Sequence, residues 1–329
     1  MQELHWGLPV IGYLFLAGVG AGAYTVSATT LLRAGANGRQ GDNFDIARYG
    51  ALLAPLPLIV GTGMIIFELG TFQAAVANGD IGLFFRWINL FLTINMSPMS
   101  IGSWVLGVCI LASVVYAYTF LSEKSRPDDD NKDLRRKLAW VGIPLGISVA
   151  IYTGVMLGAV PARPFWNTPM LALLFLVSSL STGVAGILLL RALFAHGQDA
   201  QAGEATTDLD NSGYMLATSD VKLICLELLA IVLFILFAKL TVGNASEAIS
   251  IILPGGALAT MFWGGVVVIG LVLPVLIELK YVIPTLRNQQ PYAMPRGTEI
   301  AVCAVILFGG FMLRYVVVAA GQMTGPMGL

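Results

Sequence analysis

Eight long apolar stretches occupy most of this 329-residue chain, and they restrict it to one environment. A helix crossing the hydrocarbon core of a bilayer needs about 20 predominantly apolar residues, and only closed barrels or helices satisfy their own backbone there. The stretches lie at roughly 8–32, 49–69, 98–121, 138–160, 168–194, 219–242, 258–282 and 299–320, each long enough for one crossing. Hydrophobic residues make up 57% of the chain, charged ones 11%, and the mean hydropathy is +0.81, so a soluble fold is excluded. Fold class is therefore all-α integral membrane. Three parts are expected: residues 1–196 with five spans, a polar loop at 197–217, and residues 218–329 with three spans. The N-terminus has no basic region and carries Glu3. No cleavable signal is expected, and the first span is retained.

Neither histidine lies within an apolar stretch. His5 precedes the first and His196 follows the fifth. A haem held inside a helix bundle takes axial side chains, most often paired histidines, so no haem is expected here. Cys109, Cys225 and Cys303 are isolated and have no C-x-x-C spacing. Iron–sulfur ligation is not expected, and the thiols read as small buried side chains. No metal site and no nucleic-acid surface emerge. Any redox role must run through a diffusible carrier or a partner's cofactor.

Loop charge sets an orientation. Arg33, Arg39 and Arg48 surround the first loop; Lys124, Arg126, Lys132, Arg135, Arg136 and Lys137 the third. Arg191 and Lys222 flank the fifth, and Lys280, Arg287 and Arg296 the seventh. The other side carries only Arg86, Arg163 and Lys239. The positive-inside rule places the odd-numbered loops in the cytoplasm and both termini outside. Trp6, Trp87, Trp166 and Trp263 then fall near the outer boundary as interfacial anchors. Phe84, Phe85, Trp87, Ile88 and Phe91 beside Arg86 and Asn89 suggest a short helix lying on the outer surface.

Ionisable residues within spans are costly and mark function by default. Glu68 closes the second span, Arg314 lies in the outer half of the eighth, and Glu227 is near the middle of the sixth. Glu278 and Asp220 lie toward the inner ends of spans seven and six. With Tyr13 and Tyr152, Glu68 and Arg314 share an outer depth. Phenols and a carboxylate at one depth suit a quinone head group: its carbonyls need donors, and quinol oxidation needs a proton acceptor. The competing reading is an Arg–Glu pair that only ties two helices together. Asp220, Glu227 and Glu278 form a candidate proton path. Gly18, Gly20 and Gly22 suit close helix packing. Ser178, Ser179, Ser181 and Thr182 suit either packing or a wet path.

Two blocks carry a resemblance: Tyr152-Thr153-Gly154 through Arg163-Pro164-Phe165-Trp166-Asn167-Thr168-Pro169, and Leu174 through Gly183. With Pro9–Gly18 and Leu313–Gln322, they resemble the NrfD/PsrC family of membrane subunits. The resemblance implies eight helices in two four-helix bundles and an outer quinone site. It also implies a docked ferredoxin-like [4Fe-4S] subunit and a catalytic subunit, either a molybdopterin enzyme or a multihaem cytochrome. Tyr152 matches the family's quinone-contacting tyrosine. The family's first-helix His and Asn are replaced here by Tyr13 and Val10. A phenol donates a hydrogen bond but is a poor proton acceptor at neutral pH, so Glu68 is the candidate acceptor on physical grounds. Arg314 would hold Glu68 ionised or stabilise developing negative charge. Arg163, Trp166 and Asn167 are the candidate partner-docking residues.

The expectation is a quinone-reactive subunit of a respiratory oxidoreductase in the bacterial inner membrane, not catalytic alone. It would exchange electrons with menaquinone or ubiquinone. The alternatives are a proton-translocating subunit and a secondary transporter.

Overall fold

The computed structural model describes residues 6–33, 42–68, 76, 78–80, 82, 85–92, 97–123, 131–194, 206–241, 243–288, 292 and 294–325. His5, His196, Arg39, Lys124 and Arg126 lie outside the described residues, as do the side chains of Glu68 and Arg86. Eight helices are long and apolar enough to span: α1 Leu8–Arg33, α2 Phe44–Phe67, α3 Pro98–Leu121, α4 Lys132–Gly158, α5 Met170–Phe194, α6 Gly213–Leu240, α7 Met261–Arg287 and α8 Arg296–Met323. No strand occurs among the described residues.

Several boundaries differ from the hydropathy reading. The helix containing α6 begins at Thr206, so residues 206–217 of the expected polar loop are helical. Tertiary contact explains part of this extension. The Arg191 guanidinium lies over Gly213, where a Cβ would come within 2.5 Å of Nη2. Helix α2 is interrupted at Ala54, between segments Asp42–Leu53 and Pro55–Glu68. Pro55 and Pro57 lack the backbone N–H that an unbroken helix would use. Helix α7 opens with π-helical turns over Met261–Val272 and becomes α-helical from Leu273. The change of register falls beside Pro274, which has no N–H to offer.

Helix α1 is the most enclosed span, packing against α2, α4, α5 and α8. Glycine permits the closest approach. A Cβ at Gly22 would lie 1.8 Å from the Ser179 carbonyl oxygen, and one at Gly183 would lie 2.4 Å from the Gly22 carbonyl carbon. Lipid tails are as apolar as leucine, so backbone proximity and dispersion contacts, not hydrophobic burial, draw such helices together. Helix α5 is the second hub, contacting α1, α2, α4, α6 and α8. Large apolar side chains such as Leu111, Trp140, Leu229 and Leu276 stay exposed, forming the surface that bilayer lipid covers. Cys109 and Cys303 are buried, whereas Cys225 is exposed.

Trp6, just before α1, and Gln322, near the end of α8, meet on one side. Trp6 N donates to Gln322 Oε1 at 3.2 Å, and Gln322 Nε2 donates to the Trp6 carbonyl at 2.9 Å. The α4–α5 connection lies there too, since Arg163 Nη1 donates to the Gln322 carbonyl at 2.7 Å. This side is called the terminal end below.

Candidate functional site

A cavity of about 90 Å³ opens among α1, α2, α3 and α4. Tyr13 and Tyr152 enter it from α1 and α4, and their phenol groups are hydrogen-bond neighbours. Tyr13 is only 2% exposed. The Tyr152 hydroxyl also lies 3.6 Å from Met156 Sδ, a weak acceptor. Ile65, Ile66, Leu106 and Ile110 make most of the remaining wall apolar. Thr62 and Ser103 line it as well, but each hydroxyl donates to its own helix, to Leu58 O at 2.7 Å and Ser100 O at 2.8 Å. The two phenols are thus the polar groups best placed to donate to a guest.

Two features of this cavity escaped the sequence reading. Helix α3 supplies a fourth wall, and Trp87 reaches in from the short helical turn Phe85–Ile88. The expected surface helix takes the form of that turn followed by Asn89–Leu92; Phe84 lies outside the described residues. A signal for α3 was present in Gly102. A Cβ there would lie 1.8 Å from Tyr152 Cζ, so the bare glycine makes room for the ring.

The remaining candidates divide. Glu68 ends the α2 segment two residues beyond Ile66, and its side chain is outside the described residues. Arg314 does not line the cavity. It is fully buried between α5 and α8, donating from Nη1 to Ser178 Oγ and to the Gly310 carbonyl, and from Nη2 to Ser179 Oγ. Its guanidinium lies 5.2 Å from the Phe175 ring centroid. The carboxylate it faces is Glu227, reached through Ser178, which accepts from Arg314 and donates to Glu227. Asp220 and Glu278 are neighbours in the same half of the molecule, with Ser181 Oγ donating to Asp220 Oδ1 at 3.1 Å. The serines of α5 therefore hold buried charge as well as packing the helix.

Of the expected docking residues, only Asn167 stands exposed. Trp166 is 3% exposed, so it is neither an interfacial anchor nor a surface contact. Its ring stacks on Trp6 with centroids 5.0 Å apart, and its Nε1 donates to the Val317 carbonyl at 2.7 Å. Arg163 holds the Gln322 carbonyl of α8. A broader cleft of about 690 Å³ opens nearby, bordered by Pro164, Lys239, Asn244, Glu247, Pro254 and Thr324. Among the described residues, no three His, Cys, Asp or Glu side chains converge as metal ligands.

The sequence profile described as polysulphide reductase, NrfD, matches residues 1–326. The chain belongs to the NrfD family. The C component of polysulfide reductase from Wolinella succinogenes is 32% identical to it over 342 residues, covering 97% of this protein and 94% of the relative. Protein NrfD of Escherichia coli is 25% identical, covering 98% and 96%. A homolog of NrfD from Haemophilus influenzae is 26% identical, covering 98% and 96%. The eight apolar helices and these bacterial relatives place the protein in the inner membrane as a multi-pass subunit of the respiratory oxidoreductase class.

Proposed function

We propose that this NrfD-family subunit exchanges electrons between the quinone pool and a docked iron–sulfur subunit, with quinone chemistry in the Tyr13–Tyr152 cavity. The observation that carries this reading is the meeting of two phenols from different helices in one mostly apolar cavity. Apolar walls accept the ring, and two adjoining phenols offer a hydrogen-bonding anchor for one of its oxygens. Tyr152 and Tyr13 bind and align the quinol beside a proton acceptor, which must take its two protons in turn and pass each to the outer aqueous side. Glu68, at the end of the α2 segment, is the proposed acceptor. A carboxylate has the acceptor capacity that a neutral phenol lacks. Menaquinone and ubiquinone both satisfy these requirements, and the reverse reaction uses the same groups.

The terminal end is proposed to face outward, following the loop charges, and to receive a ferredoxin-like [4Fe-4S] subunit. That subunit would serve a molybdopterin or multihaem catalytic subunit. The cleft beside Pro164 and Lys239, together with exposed Asn167, offers the docking surface. Trp166 and Arg163 shape that end from within by fixing α8 to the α4–α5 connection.

The test is quinol-analogue oxidation by the purified complex, comparing wild type with Tyr152→Phe and Tyr13→Phe. A loss of about 10-fold or more in turnover with partner subunits still bound supports the reading; tenfold corresponds to about 1.4 kcal/mol of transition-state stabilisation. Full activity in both variants removes quinone chemistry from this cavity.

A further inference from the structure

Away from the quinone cavity, α5–α8 enclose more negative than positive charge. Asp220, Glu227, Glu278 and Glu299 are all buried, at 0%, 3%, 1% and 4% exposure. Among the described residues, the buried cations in this half are Arg191 and Arg314. Arg191 Nη2 is engaged with Glu299 Oε1 at 3.0 Å. Arg314 is held by Ser178, Ser179 and the Gly310 carbonyl and faces Glu227. Each arginine is therefore committed to a carboxylate other than Asp220 or Glu278.

These two carboxyl groups adjoin one another across α6 and α7. Ser181 satisfies Asp220 Oδ1, but Asp220 Oδ2 and Glu278 Oε2 are buried without a hydrogen-bond donor. Lys222 and Lys280, close by in sequence, are exposed. The other titratable groups facing the pair are Glu227 of α6, Glu299 and Cys303 of α8, and Tyr292 just before α8. Two carboxylates in contact, out of water and with no cation against either orphan oxygen, cannot both be ionised. Two full charges would also leave both orphan oxygens unsatisfied. One proton resolves both problems: a carboxylic acid O–H donates to the neighbouring carboxylate, forming a short charge-assisted bond.

We propose that Asp220 and Glu278 form a proton-holding site, one carboxylic acid hydrogen-bonded to one carboxylate, inside the α5–α8 half of the subunit. Asp220 lies seven residues beyond Gly213, which at about 1.5 Å per residue puts it about 10 Å into α6 from the end opposite the termini. Glu227 lies two turns further along the same helix face. Ser178 and Arg314 continue the polar line to α1, where a Cβ at Gly18 would lie 3.1 Å from Arg314 Nη2. The site can therefore store a proton well inside the span, at the opposite end from the tyrosine cavity.

This inference does not rest on quinone chemistry, and its test needs no turnover. Infrared spectra of the full complex would be recorded at neutral pH in light and heavy water, with isotope-labelled aspartate and glutamate carboxyl carbons. The expected result is a deuterium-sensitive carbonyl band of a protonated carboxylic acid. It should shift with one or both labels and be lost or displaced in Glu278→Gln and Asp220→Asn. If the variants fail to fold, the aspartate label on wild type decides, because Asp220 is the one buried aspartate among the described residues: a band that ignores that label then overturns the proposal. The proposal is overturned if wild type has no such band, if the band ignores both labels, or if it survives unchanged in both folded variants. A band that appears only when sodium is withdrawn also overturns it, because the pair would then be a cation site.

Discussion

Trp166 stacks on Trp6 at a centroid separation of 5.0 Å, joining the α4–α5 connection to the segment just before α1. The same indole donates to Val317 of α8, so one side chain ties together three separate parts of the terminal end. Gly321 makes this possible: a Cβ there would lie 1.8 Å from Trp166 Nε1.

Replacing Trp166 by Phe should remove the hydrogen bond while keeping most of the stack. The expected loss is about 1 kcal/mol, the usual net worth of a buried neutral hydrogen bond. Trp166→Ala should cost about 3 kcal/mol or more through the cavity it leaves. Thermal unfolding of the detergent-solubilised complex should rank wild type above Phe above Ala. Equal midpoints for all three would remove the fastening role.

Gly102→Ala should impair quinol oxidation through Tyr152, not through folding. The added methyl overlaps the Tyr152 ring and forces it to turn from its place in the cavity. Turnover should fall about as far as in Tyr152→Phe, and the double variant should be little worse than either single one, as expected for two changes acting through one group. Additive losses would mean that the glycine acts elsewhere.

Gly22 and Gly63 should respond oppositely to the same substitution. A Cβ at Gly22 collides with the Ser179 carbonyl, whereas one at Gly63 meets nothing within 4 Å. Gly22→Ala should therefore lower the yield of assembled complex severalfold by pushing α1 from α5. Gly63→Ala should match wild type or gain up to about 1 kcal/mol, because alanine favours a helix over glycine. Membrane yield and size-exclusion profiles distinguish these outcomes.

The buried pair Arg191–Glu299 should show strong coupling. Arg191→Met alone strands the Glu299 charge and should cost about 3–5 kcal/mol. Adding Glu299→Gln should recover much of that loss, since the charge stranded by the first change is then removed. A double-mutant cycle on detergent unfolding midpoints measures the coupling. Additive losses would show that the pair contributes little beyond its separate contacts.

The existence of eight spans was legible because a bilayer demands long apolar runs. Tyr13, Tyr152, Asp220, Glu227 and Glu278 stood out because polar groups in such runs are costly. Sequence position along a spanning helix also reports depth, at a fixed rise per residue. It was depth that grouped Tyr13 with Tyr152 and Arg314 with Glu68. Depth does not report azimuth, the direction in which a side chain leaves its helix. Lipid-facing and core-facing residues are both apolar here, so no amphipathic stripe marks the inner face.

Azimuth and helix neighbourhood were decided by tertiary packing. Tyr13 and Tyr152 turn toward one cavity, whereas Arg314 turns into the α5–α8 interface and meets Ser178, Ser179 and Glu227. Trp166 has the composition of a membrane-interface anchor, yet it is buried because Gly321 opens a slot beneath its ring. The sequence by itself determined the membrane class, the number of crossings and the depth of each polar group, since the solvent imposes these on any polypeptide. Which polar groups meet depended on approaches of a few ångströms at glycines, to a neighbouring backbone at Gly22 and to the side chains of Ser179, Tyr152 and Trp166 at Gly18, Gly102 and Gly321, and those distances exist only once the helices are packed together.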